Sequence, residues 1–188
     1  RVSHMAGILG LLLVYALLSS STALQFPSAA ARAADRRCAV RCAAWQELAG
    51  CQLLRPPGEA RAVVHFLGGV FVSPAPQVAY RALLESLGAR GYLIVASPFA
   101  VDFDYAKPAH EILSVYTAAR SALTDEDRAL PQLAMGHSLG ALMHVLLGCW
   151  HPEYARSCAG AALISFNNKP VSDAIPVFEQ LFVPALTP

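Results

Sequence analysis

The pentapeptide Gly136-His137-Ser138-Leu139-Gly140 constrains this chain more than any other feature. Its three fixed positions are weak evidence alone, since ordinary Gly and Ser frequencies give about 0.06 chance matches in a chain this long. The context adds the weight. Residues 133–136 form an apolar run before it. Leu139, Leu142, Met143, Leu146, Leu147 and Trp150 then fall on one stripe of a helix expected over 139–150. A turn leading straight from strand into helix brings its flanking backbone so close that a Cβ has no room. Glycine at 136 and 140 removes that clash, and Ala141 keeps the next turn slim. Ser138 is then expected at the tip of the turn, with Oγ exposed at the carboxyl end of a sheet. The helix N-terminus beneath it favours developing negative charge. The competing reading is a Gly-Ser turn with no chemical role.

The rest of the chain alternates between strand and helix signals. Apolar runs at 51–54, 62–67, 92–96 and 161–166 read as strands, with helices expected over 74–87 and 108–123 and a solvated turn at 125–128. Continuous apolar strands separated by helices indicate an α/β class, with a mostly parallel sheet covered by helices on both faces. At 55% apolar and 14% charged residues, the composition is that of a globular chain. The net charge of +1, spread without basic clusters, excludes a nucleic-acid surface as an expectation.

A nucleophilic serine needs two N–H donors for the oxyanion and a positioned base. Leu139 N–H, directly after Ser138, is the first donor. The loop ending residues 62–67 offers Gly68 and Gly69 as the second, with a plain tight turn as the alternative. His65 lies within a strand and reads as a core histidine. The base is the missing part. His144 is six residues along the helix, about 9 Å up its axis, and His151 is farther still. His137 is adjacent, but its side chain is expected to leave the turn in another direction. Asp173 is the candidate acid, with a cap before Ala174-Ile175-Pro176 as its competing role. Asn167 and Asn168 end the last strand and either orient a substrate or form a turn. With no later strand in the chain, a complete domain of this type is not expected, and the sequence reads as a truncated form.

No metal and no cofactor is expected. Cys38, Cys42 and Cys51 have no histidine at ligand spacing, and Cys149 and Cys158 read as buried thiols. The N-terminal stretch has the character of a presequence over 1–41. Met5 is a plausible initiator, 8–18 is an apolar core, and Ser21-Thr22-Ala23 ends a signal-like segment over 5–23. Residues 24–41 are Ala-rich, with Arg32, Arg36, Arg37 and Arg41 against the single acid Asp35, a transit-like composition. The pair resembles the bipartite plastid-targeting presequence of algae, although Phe26-Pro27 lies downstream of the expected cleavage point. The expected location is the plastid; secretion, or anchoring by an uncleaved segment, is the alternative.

Trp45, Leu53-Leu54, Pro56-Pro57 and Val64-His65-Phe66-Leu67-Gly68-Gly69-Val70-Phe71-Val72 resemble the start of a plant and cyanobacterial α/β-hydrolase-like family. It is the domain-of-unknown-function family "thirteen-fifty", some members of which are labelled esterases. Pro76-Gln77-Val78-Ala79-Tyr80-Arg81, Gly136-His137-Ser138-Leu139-Gly140-Ala141-Leu142 and Ile164-Ser165-Phe166-Asn167-Asn168-Lys169-Pro170 continue the match in order. The resemblance covers residues 45–181, places a partial α/β-hydrolase-like domain over 45–188 and implies a chloroplast location, with no known substrate. Two functions are expected from this point. One is a serine hydrolase acting on a small-molecule or lipid-like ester or thioester; the other is a non-catalytic binding protein on the same fold.

Overall fold

The structure, a computed structural model, describes residues 44–102 and 104–166. The presequence, Cys38, Cys42, Asn167, Asn168 and Asp173 lie outside the described residues. The elements in chain order are β1 (Gln46–Leu48), β2 (Cys51–Leu54), β3 (Ala62–Leu67), α1 (Pro76–Ala79), α2 (Arg81–Ala89), β4 (Tyr92–Ala96), α3 (Ala106–Ser121), α4 (Asp125–Ala129), β5 (Gln132–His137), α5 (Leu139–Trp150), α6 (Pro152–Ser157) and β6 (Cys158–Ile164).

The six strands form one sheet in the order β1-β2-β4-β3-β5-β6. β3 pairs in parallel with β4 and β5, and β5 with β6, as the apolar runs require. β1 and β2 depart from that expectation, being antiparallel to each other and β2 also to β4. The hairpin joining them turns on Ala49 (φ 49°) and Gly50 (φ 84°). Positive φ at both central residues is what a type I′ turn needs, and only Gly50 adopts it without cost. Ala49→Asn is therefore expected to raise stability by about 0.5–1 kcal/mol, read as a higher urea midpoint at unchanged slope.

Side chains of the central strand β3 are buried throughout and alternate between two cores. On one face Val63 and Leu67 pack with Ile112 and Tyr116 of α3, Met143 and Leu147 of α5 and Tyr154 of α6. On the other, Val64 and Phe66 pack with Leu54, Ile94 and Leu84 of α2. Helices thus cover both faces, and the parallel strands all end on one edge, where open α/β sheets bind ligands.

Three local expectations shift. The helix foreseen over 74–87 is two helices broken at Tyr80, whose backbone (φ −106°, ψ 20°) caps α1 and opens α2. Residues 125–128 belong to a helix and not to a simple turn. Thr124 caps α4 by accepting from Asp127 N–H at 3.2 Å, and three acids in its first turn suit the helix dipole. Pro152 starts a further helix, α6, directly after α5, so β6 begins at Cys158 and is paired to Ile164, short of Phe166.

Candidate active site

Ser138 sits between β5 and α5 with φ 54° and ψ −117°, a conformation that costs a non-glycine residue about 1–3 kcal/mol and survives only where its surroundings dictate it. Those surroundings are specific. Ser138 N–H donates to the Ile164 carbonyl of β6 at 2.9 Å, while its own carbonyl accepts from Ala141 N–H at 3.0 Å and Leu142 N–H at 3.2 Å. A Cβ on Gly136 would lie 2.5 Å from the Gly140 carbonyl, and one on Gly140 would lie 2.5 Å from the Leu67 carbonyl carbon and 2.6 Å from the Gly68 oxygen. The strand, the helix and the end of β3 therefore interlock around the serine at distances only hydrogen atoms allow. Leu139 is the first residue of α5, and its N–H has no acceptor within its own helix.

The loop after β3 passes over this turn. A methyl group on Gly69 would come within 3.6 Å of Ser138 Cβ, 3.2 Å of His137 Nδ1 and 3.2 Å of the Tyr80 hydroxyl. Gly68 lies against the Tyr80 ring, at 3.1 Å from Cε2 by the same measure. The Gly69 N–H is not an open donor here, because it donates to Tyr80 Oη at 2.9 Å. Tyr80 Oη also lies 2.9 Å from His137 Nδ1. Its ring meets Phe66 edge-on, with centroids 4.8 Å apart. Ser138, His137 and Tyr80 are each half-buried. His137 thus turns toward the loop that covers the serine, and Tyr80 is a member of the cluster that sequence reasoning missed.

No histidine hydrogen-bonds Ser138 among the described residues. His151 lies 3.5 Å from Glu153 Oε1. His65 and His144 belong to a buried polar chain beneath the elbow. Cys51 Sγ is 3.1 Å from Ser97 Oγ, which is 2.9 Å from His65 Nε2. His65 Nδ1 is 2.7 Å from Tyr154 Oη, which is 3.0 Å from His144 Nδ1, and His144 Nε2 is 3.0 Å from the Met135 carbonyl.

Burial favours neutral histidines, and with His144 neutral the Met135 carbonyl, which can only accept, fixes every proton along the chain. His144 donates from Nε2, so its bare Nδ1 accepts from Tyr154. Tyr154, its one proton spent, accepts from His65 Nδ1–H. The bare His65 Nε2 accepts from Ser97, and Ser97 accepts from the Cys51 thiol. Both histidines are neutral. Burial accordingly holds His65 well below its usual value, reinforced by the neighbouring His144. Burial also pushes His144 down to about 4, with the bond to Met135 opposing it. The Tyr116 ring stacks on His65, with centroids 3.6 Å apart. The His144–Met135 bond joins α5 to β5 across the strained serine. Among the described residues no group of three metal-ligating side chains is assembled.

The fold has relatives of known structure. A highly thermostable carboxyl esterase from Bacillus coagulans superposes with TM-score 0.50 at 13% identity, over 77% of this chain and 51% of that one. A lipase in its open form gives 0.49 at 19% identity over 64% and 44%. Esterase B from Lactobacillus rhamnosis gives 0.48 at 15% identity over 73% and 51%. The chain spans about half the length of these structures. At such identity the likeness to the Bacillus esterase establishes the α/β-hydrolase fold alone. No curated protein matches the sequence. The model of one family matches residues 44–187, and this chain belongs to that family, described as Protein of unknown function (DUF1350).

Proposed function

We propose that this protein is a plastid serine hydrolase that cleaves a small-molecule or lipid-like ester or thioester through an acyl-enzyme on Ser138. The observation that carries the reading is the strained Ser138 at the tip of β5, interlocked by Gly136 and Gly140 and followed by the N–H of Leu139. In the first step Ser138 Oγ bonds to the acyl carbon. Its proton passes to a base, the carbonyl oxygen gains charge facing Leu139 N–H, and the ester bond breaks as the leaving alcohol or thiol takes the proton. Water repeats the sequence on the acyl-enzyme. The base is contributed from outside the described residues in this reading. Phe71, Val101 and Phe166 follow the carboxyl ends of β3, β4 and β6 and are exposed, which suits an apolar acyl group. The plastid location is supported by the signal-like and transit-like composition of residues 5–41 and by the chloroplast location that the family resemblance implies.

The competing reading, a non-catalytic binding protein, is favoured by one observation: His65, His144 and His151 are engaged elsewhere, and none bonds Ser138. Reaction of the purified full chain with an alkyl fluorophosphonate separates the two. A single adduct is expected on Ser138, and Ser138→Ala should remove it, matching the roughly 10⁶-fold loss seen when a serine nucleophile is deleted. A folded wild type that forms no adduct would leave only the binding protein.

A further inference from the structure

The N–H donor expected of the loop after β3 is already taken, and the group that takes it lies beside the nucleophile. We infer that the Tyr80 hydroxyl is itself a catalytic residue: the second donor to the oxyanion, held in place by Gly69 N–H and by His137. This rests on the serine-hydrolase reading and names a residue in it.

The argument is one of hydrogen-bond capacity. A phenol oxygen has one proton to give and can accept more than one bond. Gly69 N–H can only donate, so it fills one acceptor position of Tyr80 Oη, at 2.9 Å. His137 Nδ1, also at 2.9 Å, fills another when it carries the ring proton. The Tyr80 proton then has no acceptor within the cluster and is available to a newcomer. A chain running from N–H to O–H to oxyanion also polarises the phenol in the useful direction, since each bond strengthens the next.

Position supports the role. Tyr80 Oη, His137 Nδ1 and Ser138 Cβ all lie within one methyl group's reach of Gly69. The charge that develops on an acyl carbon bonded to Ser138 therefore forms in the immediate neighbourhood of this hydroxyl. The break between α1 and α2 falls at Tyr80 and turns the chain there. The ring is held from two sides, edge-on to Phe66 and against Gly68. A donor fixed in advance is worth more to a transition state than one that must be recruited.

The rival role is a latch, in which Tyr80 only ties the loop down. The two predict opposite outcomes for Tyr80→Phe, which keeps the ring and its packing. As a donor, its loss should slow formation of the Ser138 adduct with an alkyl fluorophosphonate by about 10²-fold or more. As a latch, its loss frees Gly69 N–H for the oxyanion, and labelling should hold steady or speed up. That second result overturns the proposal and points to a backbone donor in the same loop. An activity-independent check is the tautomer of His137, read from long-range nitrogen–proton correlations in the NMR spectrum of the full chain. The proposal requires the proton on Nδ1; a bare Nδ1 would mean that Tyr80 has already spent its proton, and would overturn it. A wild type without any adduct sinks the hydrolase reading and the donor role together. A labelled wild type with an unimpaired Tyr80→Phe sinks the donor role alone.

Discussion

Gly140→Ala is expected to cost more than about 4 kcal/mol, enough to leave little folded protein at 37 °C. The added Cβ would stand 2.5 Å from the Leu67 carbonyl carbon and 2.6 Å from the Gly68 oxygen. Neither neighbour can retreat. Leu67 ends the central strand, is fully buried and is in register with Gly136 of β5. Moving it would pull β3 away from the strand that carries the serine. On the other side, α5 cannot back off either, because Ala141 N–H and Leu142 N–H both hold the Ser138 carbonyl. Gly136→Ala meets the same limit, with the Gly140 carbonyl at 2.5 Å and Ala141 N at 2.6 Å. A matched control is Gly58→Ala, where a Cβ would meet nothing within 4 Å and stability should move by no more than about 0.5 kcal/mol. Urea unfolding followed by far-ultraviolet circular dichroism compares the three. A cooperative Gly140→Ala protein within about 1 kcal/mol of the wild type would show that strand and helix do not meet as described.

The same glycines show why so much of the elbow was legible in the sequence. Strand, turn and helix are consecutive here, so residues 133–150 carry all the geometry locally: an apolar run, two positions without a Cβ and a helical stripe. α5 spans Leu139–Trp150, as the stripe implies. β3 was equally clear, because a strand buried on both faces reads as an unbroken apolar run. β1 left little trace, since Gln46 and Glu47 are exposed and only the hairpin at Ala49-Gly50 defines it. α6 is too short to show a period. Tyr80 was hidden for a different reason. Its role depends on meeting Gly69, eleven residues earlier, and His137, fifty-seven later, and no local pattern encodes either meeting. His65 reads from sequence as a core histidine, and it is buried. Its sequence could not reveal that its partners come from the end of β4, from α3 and from α6.

That buried chain makes the protein acid-labile in a defined window. In the folded state both His65 and His144 are neutral, held so by burial and by donors already facing their bare nitrogens. In the unfolded chain each takes up a proton near the ordinary value of 6.5. Between that value and about 4, where His144 charges in the folded state, the unfolded chain binds more protons than the folded one, so stability must fall as pH falls. At about 1.4 kcal/mol per pH unit, His144 alone removes about 3 kcal/mol across this window, and His65 adds to the loss in the same direction. The other polar groups facing the pair offer no relief. Cys51, Ser97 and Tyr154 are committed along the chain, and Tyr116 and Cys158 are pushed by burial toward their neutral forms. Arg120, placed to act on Tyr116, is a cation and cannot favour a second positive charge. A proton arriving on His144 Nδ1 would also meet the Tyr154 proton head-on and break the Tyr154–His144 bond that ties α6 to α5, while the Nε2–H bond to the Met135 carbonyl would hold. Urea midpoints measured in steps from pH 7 to pH 4 should therefore decline steadily below pH 6.5, by several kcal/mol in total. The same nitrogen–proton NMR correlations should find the ring proton on Nδ1 in His65 and on Nε2 in His144. A flat stability profile over that range, or either tautomer reversed, would break the chain of donors at its fixed end, the Met135 carbonyl.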